Sequence, residues 1–95
     1  MAFKSLSKTV TSAGTQVALA SSTKVSSLVM KAMETNTGLI FLGDSTVSSS
    51  TGGLTASQAI SWESDNNRGL LDLADIYVDS AVSGEGVDIW YVEAA

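Results

Sequence analysis

Residues 24–43, KVSSLVMKAMETNTGLIFLG, decide the fold. Two apolar runs, 25–32 and 39–42, flank the polar segment Glu34-Thr35-Asn36-Thr37-Gly38. A polar segment ending in Gly between aliphatic and β-branched runs reads as a hairpin loop, with Gly38 free to take a positive φ. A helical reading competes, because Val25, Leu28, Val29 and Ala32 also fit an i, i+3, i+4, i+7 face. Strands are preferred: Ser and Thr are dense ahead of the run, no helix-stop signal follows it, and 39–42 is too short for a helix. Nearly every residue of 39–42 is apolar, so that strand is expected to be covered on both faces.

Working outward, residues 4–11 alternate Leu6, Lys8 and Val10 against Ser5, Ser7 and Thr9, the pattern of a half-buried or edge strand. Gly14 marks a turn at 12–15, and Val17 and Leu19 give a second short strand. Beyond Gly43, residues 46–48 read as a short extended piece and 49–53 as a flexible polar loop. Ile60 and Trp62 share a face of a strand over 58–62, and 63–69 form a second polar loop. Leu71 and Leu73 differ in parity from Ile76 and Val78, which predicts a bend or bulge at Ala74. A turn at 83–86 leads into a closing strand with Val87, Ile89 and Tyr91 on one face and Asp88 and Trp90 on the other. Ile40-Phe41-Leu42 followed by Ser45-Thr46-Val47-Ser48 is echoed by Ile76-Tyr77-Val78 followed by Ser80-Ala81-Val82-Ser83, as alternating strands commonly echo one another; a true repeat would mark equivalent strands in two packed sheets. Seven to eight short strands with frequent turn signals predict an all-β chain, a small antiparallel β-sandwich of jelly-roll-like type.

The chain has 95 residues, which fits one domain over 1–95, with residues 1–8 as an N-terminal arm. A domain of this size buries only about 60–65% of its unfolded surface, so help from oligomerisation is expected. Without Cys there are no disulfides, thiolate metal sites or thiol nucleophiles, and without His the commonest general base is missing. No membrane span or signal peptide is read in it. The formal charge of −5 divides unevenly: Lys4, Lys8, Lys24 and Lys31 stand alone in residues 1–33, and all ten acids follow. A basic segment before an acidic body suits docking on an acidic surface, whereas five scattered cations make a poor footprint for nucleic acid.

Serines abound, but a hydrolase needs a base and an orienter, and neither a His nor a G-x-S-x-G elbow is present. Asp65, Asp72, Asp75 and Asp79 offer oxygen ligands for calcium without EF-hand spacing, and their simpler role is to cap turns. No enzyme activity, cofactor or metal is expected. Trp62 and Trp90 are the aromatic candidates. Together they could form a sugar-binding platform; otherwise Trp62 reads as a core or subunit-interface side chain, and Trp90 as an outward contact residue.

Three stretches carry a resemblance. They are Thr9-Val10-Thr11-Ser12-Ala13-Gly14-Thr15-Gln16-Val17-Ala18-Leu19, Asn36-Thr37-Gly38-Leu39-Ile40-Phe41-Leu42-Gly43, and Asp75-Ile76-Tyr77-Val78-Asp79 followed by Gly84-Glu85-Gly86-Val87. The chain resembles small virion structural proteins of tailed bacteriophages, departing from their pattern at 49–53. The resemblance implies a β-sandwich on the phage particle surface, made in the host cytoplasm. It would be a head decoration or cement protein on the major capsid protein, or a head–tail connector or tail component. It brings no catalytic residues. The expected partners are other virion proteins and further copies of the chain, taken as a trimer, and neither nucleic acid nor membrane. Phe3, Lys4, Lys8, Trp62 and Trp90 are the candidate interface residues. The reading from a different class is a carbohydrate-binding adhesion module.

Overall fold

Alternation along the first and last segments brings them together across the whole molecule. β1 (Ala2–Thr9) pairs antiparallel with β9 (Gly86–Glu93), residue for residue from Ala2 opposite Glu93 to Thr9 opposite Gly86. The computed structural model describes residues 2–48, 53–63 and 71–93. Between these strands lie β2 (Val17–Ala18), β3 (Lys24–Ala32), β4 (Ile40–Gly43), β5 (Gly53–Leu54), β6 (Ala59–Glu63), β7 (Leu71–Asp72) and β8 (Tyr77–Ser80). The first sheet runs β1-β9-β3-β6, with β7 beside the start of β3, and the second runs β2-β8-β4-β5. First strand therefore pairs with last and β2 with β8, the nested order of a jelly roll. The protein is a small antiparallel β-sandwich with nine described strands, one or two more than the sequence suggested.

The core lies between the sheets. Leu28, Met30 and Ala32 of β3, Val87, Ile89 and Tyr91 of β9, and Ile40 and Val78 of the second sheet are buried there. Of residues 1–8, read as an arm, the described residues 2–8 enter the first sheet as its edge strand. Leu6 and Lys8 are half-buried while Ser5, Ser7 and Thr9 are exposed, as their alternation requires.

The decisive stretch is two strands, but not a hairpin. β3 and β4 sit in different sheets, and residues 33–39 arch between them. Buried Asn36 holds the arch: its Nδ2 donates to Gly86 O at 2.9 Å and its Oδ1 accepts from Gly86 N. Thr37 N–H and its hydroxyl donate to Glu85 Oε2, and Gly38 N–H to Oε1, at 2.7–2.9 Å. Gly38 is needed for space, not for its φ, since a Cβ there would lie 2.8 Å from Val82 Cγ2. Among the described residues the left-handed glycines are Gly14 and Gly84, in the turns predicted at 12–15 and 83–86.

Other expectations shift in smaller ways. Ile40 and Phe41 are both buried, so the strand is covered on both faces there, but Leu39 is exposed. Residues 44–47 form a turn instead of an extended piece, closed by Val47 N–H to Asp44 O. The parity change at Ala74 is a 3₁₀ turn, η1 (Leu73–Asp75), capped by Asp72. The echoed segments are neighbours in one sheet, with Leu42 opposite Val78, and do not mark two sheets. The loops read at 49–53 and 63–69 fall almost wholly outside the described residues.

Candidate functional site

Cross-strand register lays out the outer face of the first sheet as rows. Phe3, Val92, Ser27 and Glu63 form one, Ser5, Trp90, Val29 and Ser61 the next, and Ser7, Asp88, Lys31 and Ala59 the third. Directly paired residues project on the same side, so these side chains share one surface. Phe3 is 72% exposed and Val29 39%. Trp90 and Val92 are half-buried against that surface. Small residues flank Trp90: Ser5 lies on one side, and the Ser7 hydroxyl donates to Asp88 Oδ1 at 2.7 Å in the next row. Shallow hollows flank the Trp90–Val29 pair, one between Ser27, Val29, Ser61 and Glu63 and one between Ser5, Ser7, Asp88 and Trp90.

The five sequence candidates thus separate. Phe3 and Trp90 meet on this outer face. Lys4, Lys8 and Trp62 belong to the opposite, core-facing side. Lys4 pairs there with Glu93 at 3.2 Å, both side chains substantially exposed, and Trp62 stands opposite Leu28. Val29, Val92, Ser5 and Ser61 were not singled out from sequence. Only the register of four strands, none adjacent in sequence, places them around Trp90.

The carboxylates have structural partners. Asp72 Oδ1 accepts from Ala74 N–H and Thr23 N–H at 3.0 and 2.9 Å, and Oδ2 from the Ser22 hydroxyl at 2.8 Å. These donors, with Lys24 nearby, hold its carboxyl far below the usual range. The Gly38 and Thr37 amides lower Glu85, and the Thr46 hydroxyl and amide lower Asp44. Asp79 is buried and accepts from Gly14 N–H and Ser80 N–H. Among the described residues, no three acids gather as a metal-holding group. Asp65 of the calcium reading lies outside them. What the outer face offers is a surface with an aromatic centre flanked by two hollows, suited to contact. The chain matches no protein-family model, no curated protein and no solved structure.

Proposed function

We propose that this chain is a non-enzymatic structural protein of a tailed-phage particle, a decoration or cement protein that coats or bridges the major capsid protein. The observation that carries the reading is the outer face of the first sheet, where exposed Phe3 and Val29 and half-buried Trp90 and Val92 stand among serines. Aromatic side chains ringed by small residues are the usual anchors of protein interfaces, and an uncovered apolar patch marks a contact surface. Jelly rolls serve in viral capsid and lectin domains, an analogy of fold that supports the reading without naming a partner. The sequence resemblance supports a phage particle as the setting. In this role the face docks on the assembled shell, and binding the assembled state alone stabilises it by mass action.

The test is co-sedimentation of the purified chain with phage shells. The wild type is expected to pellet with mature shells, and Trp90→Ala to lose at least about tenfold in affinity, roughly 1.4 kcal/mol, as for an interface anchor. Binding unchanged in Trp90→Ala removes this face as the dock, and no binding to any shell removes the phage role. A second reading rests on Trp90 with the Ser5 and Ser7 hydroxyls and Asp88 around it, which also suits a sugar ring stacked on the indole. Glycan-array binding that vanishes in Trp90→Ala would select it.

A further inference from the structure

The core-facing side of β6 is left partly uncovered. Ile60 stands opposite the buried Met30, yet it is 43% exposed. Beside it an apolar groove of about 380 Å³ opens between the sheets, lined in part by Leu42, Ile60, Trp62 and Ile76, with Asp44 and Asp75 in its walls. Among the described residues β6 pairs only with β3, and at the other edge of the same sheet β1 pairs only with β9. A free strand edge presents unpaired backbone donors and acceptors.

These two edges are complementary in direction, parity and charge. Strands alternate along β1-β9-β3-β6, so β1 and β6 run in opposite directions. The β1 of one copy set beside the β6 of the next therefore continues an antiparallel sheet. Leu6, Lys4 and Lys8 share the core-facing side of β1, as Ile60 and Trp62 do on β6, so placing Leu6 opposite Ile60 matches every side chain to its own face. Leu6 then covers Ile60, and Lys4 comes over Trp62 beside the groove walled by Asp44 and Asp75. Pairing of β1 with a second β1 about Leu6 would instead set Lys4 opposite Lys8, a like-charge contact.

We propose that copies of this chain associate head-to-tail, β1 of one adding to β6 of the next, so that the first sheet runs on across the boundary. Such a contact closes into a ring or continues as a filament. It goes beyond the proposed role, because it concerns how copies join one another and requires no shell.

The chain has no Cys, so Ser5→Cys combined with Ser61→Cys gives a clean cross-link. Both positions lie on the outer face and stand opposite each other across the proposed boundary. Within one copy, three strand spacings, about 14 Å, separate them, beyond disulfide reach. Under mild oxidation the double variant is expected to give linked species of more than two copies, while either single variant stops at two. Sedimentation of the wild type is expected to show a self-associated species, and Ile60→Lys to weaken it at least tenfold. Wild type that stays a single copy up to about 1 mM overturns the inference. So does association indifferent to Ile60→Lys, or linkage of the double variant that stops at two. Shell binding is read separately: a single-copy protein that still binds shells refutes this contact alone, and an oligomer that ignores shells refutes only the phage role.

Discussion

The two sheets turn different outer faces to their surroundings. On the second, Phe41 and Asp79 are paired across β4 and β8 and point away from the core, yet they are 4% and 3% exposed. The chain seals this face itself. Buried Val47 packs over Gly43, and the turn at Gly14 donates its N–H to Asp79. On the first sheet, Phe3 and Val29 occupy the corresponding outward positions and stay open. Alternation says which way a side chain points; loops folding back decide whether it meets water. A docking surface is what remains where the chain does not cover its own sheet.

Paired truncations would break or uphold this comparison most directly. Phe41→Ala is expected to cost about 3–5 kcal/mol, read as a lower urea midpoint, because it empties a sealed site. Trp90→Ala, on the open face, is expected to cost under about 1 kcal/mol. Equal costs would mean that the two faces do not differ. The seal itself can be loosened next. Asp79→Ala leaves the amides of Gly14 and Ser80 without their carboxylate and is expected to cost about 1–3 kcal/mol.

The smallest effect sharpens the comparison through pH. Glu85 carries a lowered folded pKa, so its stabilisation is full above the ordinary glutamate value, about 4.3, and drains away as pH falls through the folded value. Asp72 and Asp44 act in the same direction. Glu85→Gln is expected to lower the melting temperature near neutrality, since an amide cannot accept along both oxygens, and to flatten the acid side of the stability curve. An acid limb as steep as that of the wild type would show that other carboxylates carry it.

Much of the fold was legible because strand alternation is a local property. Leu6 against Ser5, Val87 against Asp88 and the turns at Gly14 and Gly84 could all be read within short windows. The hairpin at 34–38 was misread because its holders, Glu85 and Gly86, lie about fifty residues away. The competing helical pattern at Val25, Leu28 and Ala32 also has a cause. A register shift between Val25 and Ser27 inserts one residue into β3, so the buried positions jump from 25 to 28 before alternating again. Of the candidate site, Trp90 was legible from its parity with Asp88, and Trp62 and Lys8 from theirs with Ile60 and Leu6, whereas Phe3 was named only with the N-terminal segment and register alone puts it on the face of Trp90.

The sequence by itself determined an all-β chain without Cys or His, the alternation of inner and outer sides along its longer strands, and the turns at Gly14 and Gly84, because these follow from residue type and short-range periodicity. The tertiary structure alone decided which strands share a sheet, that β3 and β4 part company, and that Trp90 meets Phe3, Val29 and Val92 on one open face. Those outcomes depend on pairing between distant segments and on which loops fold back over a sheet, and no local window of residues contains that information.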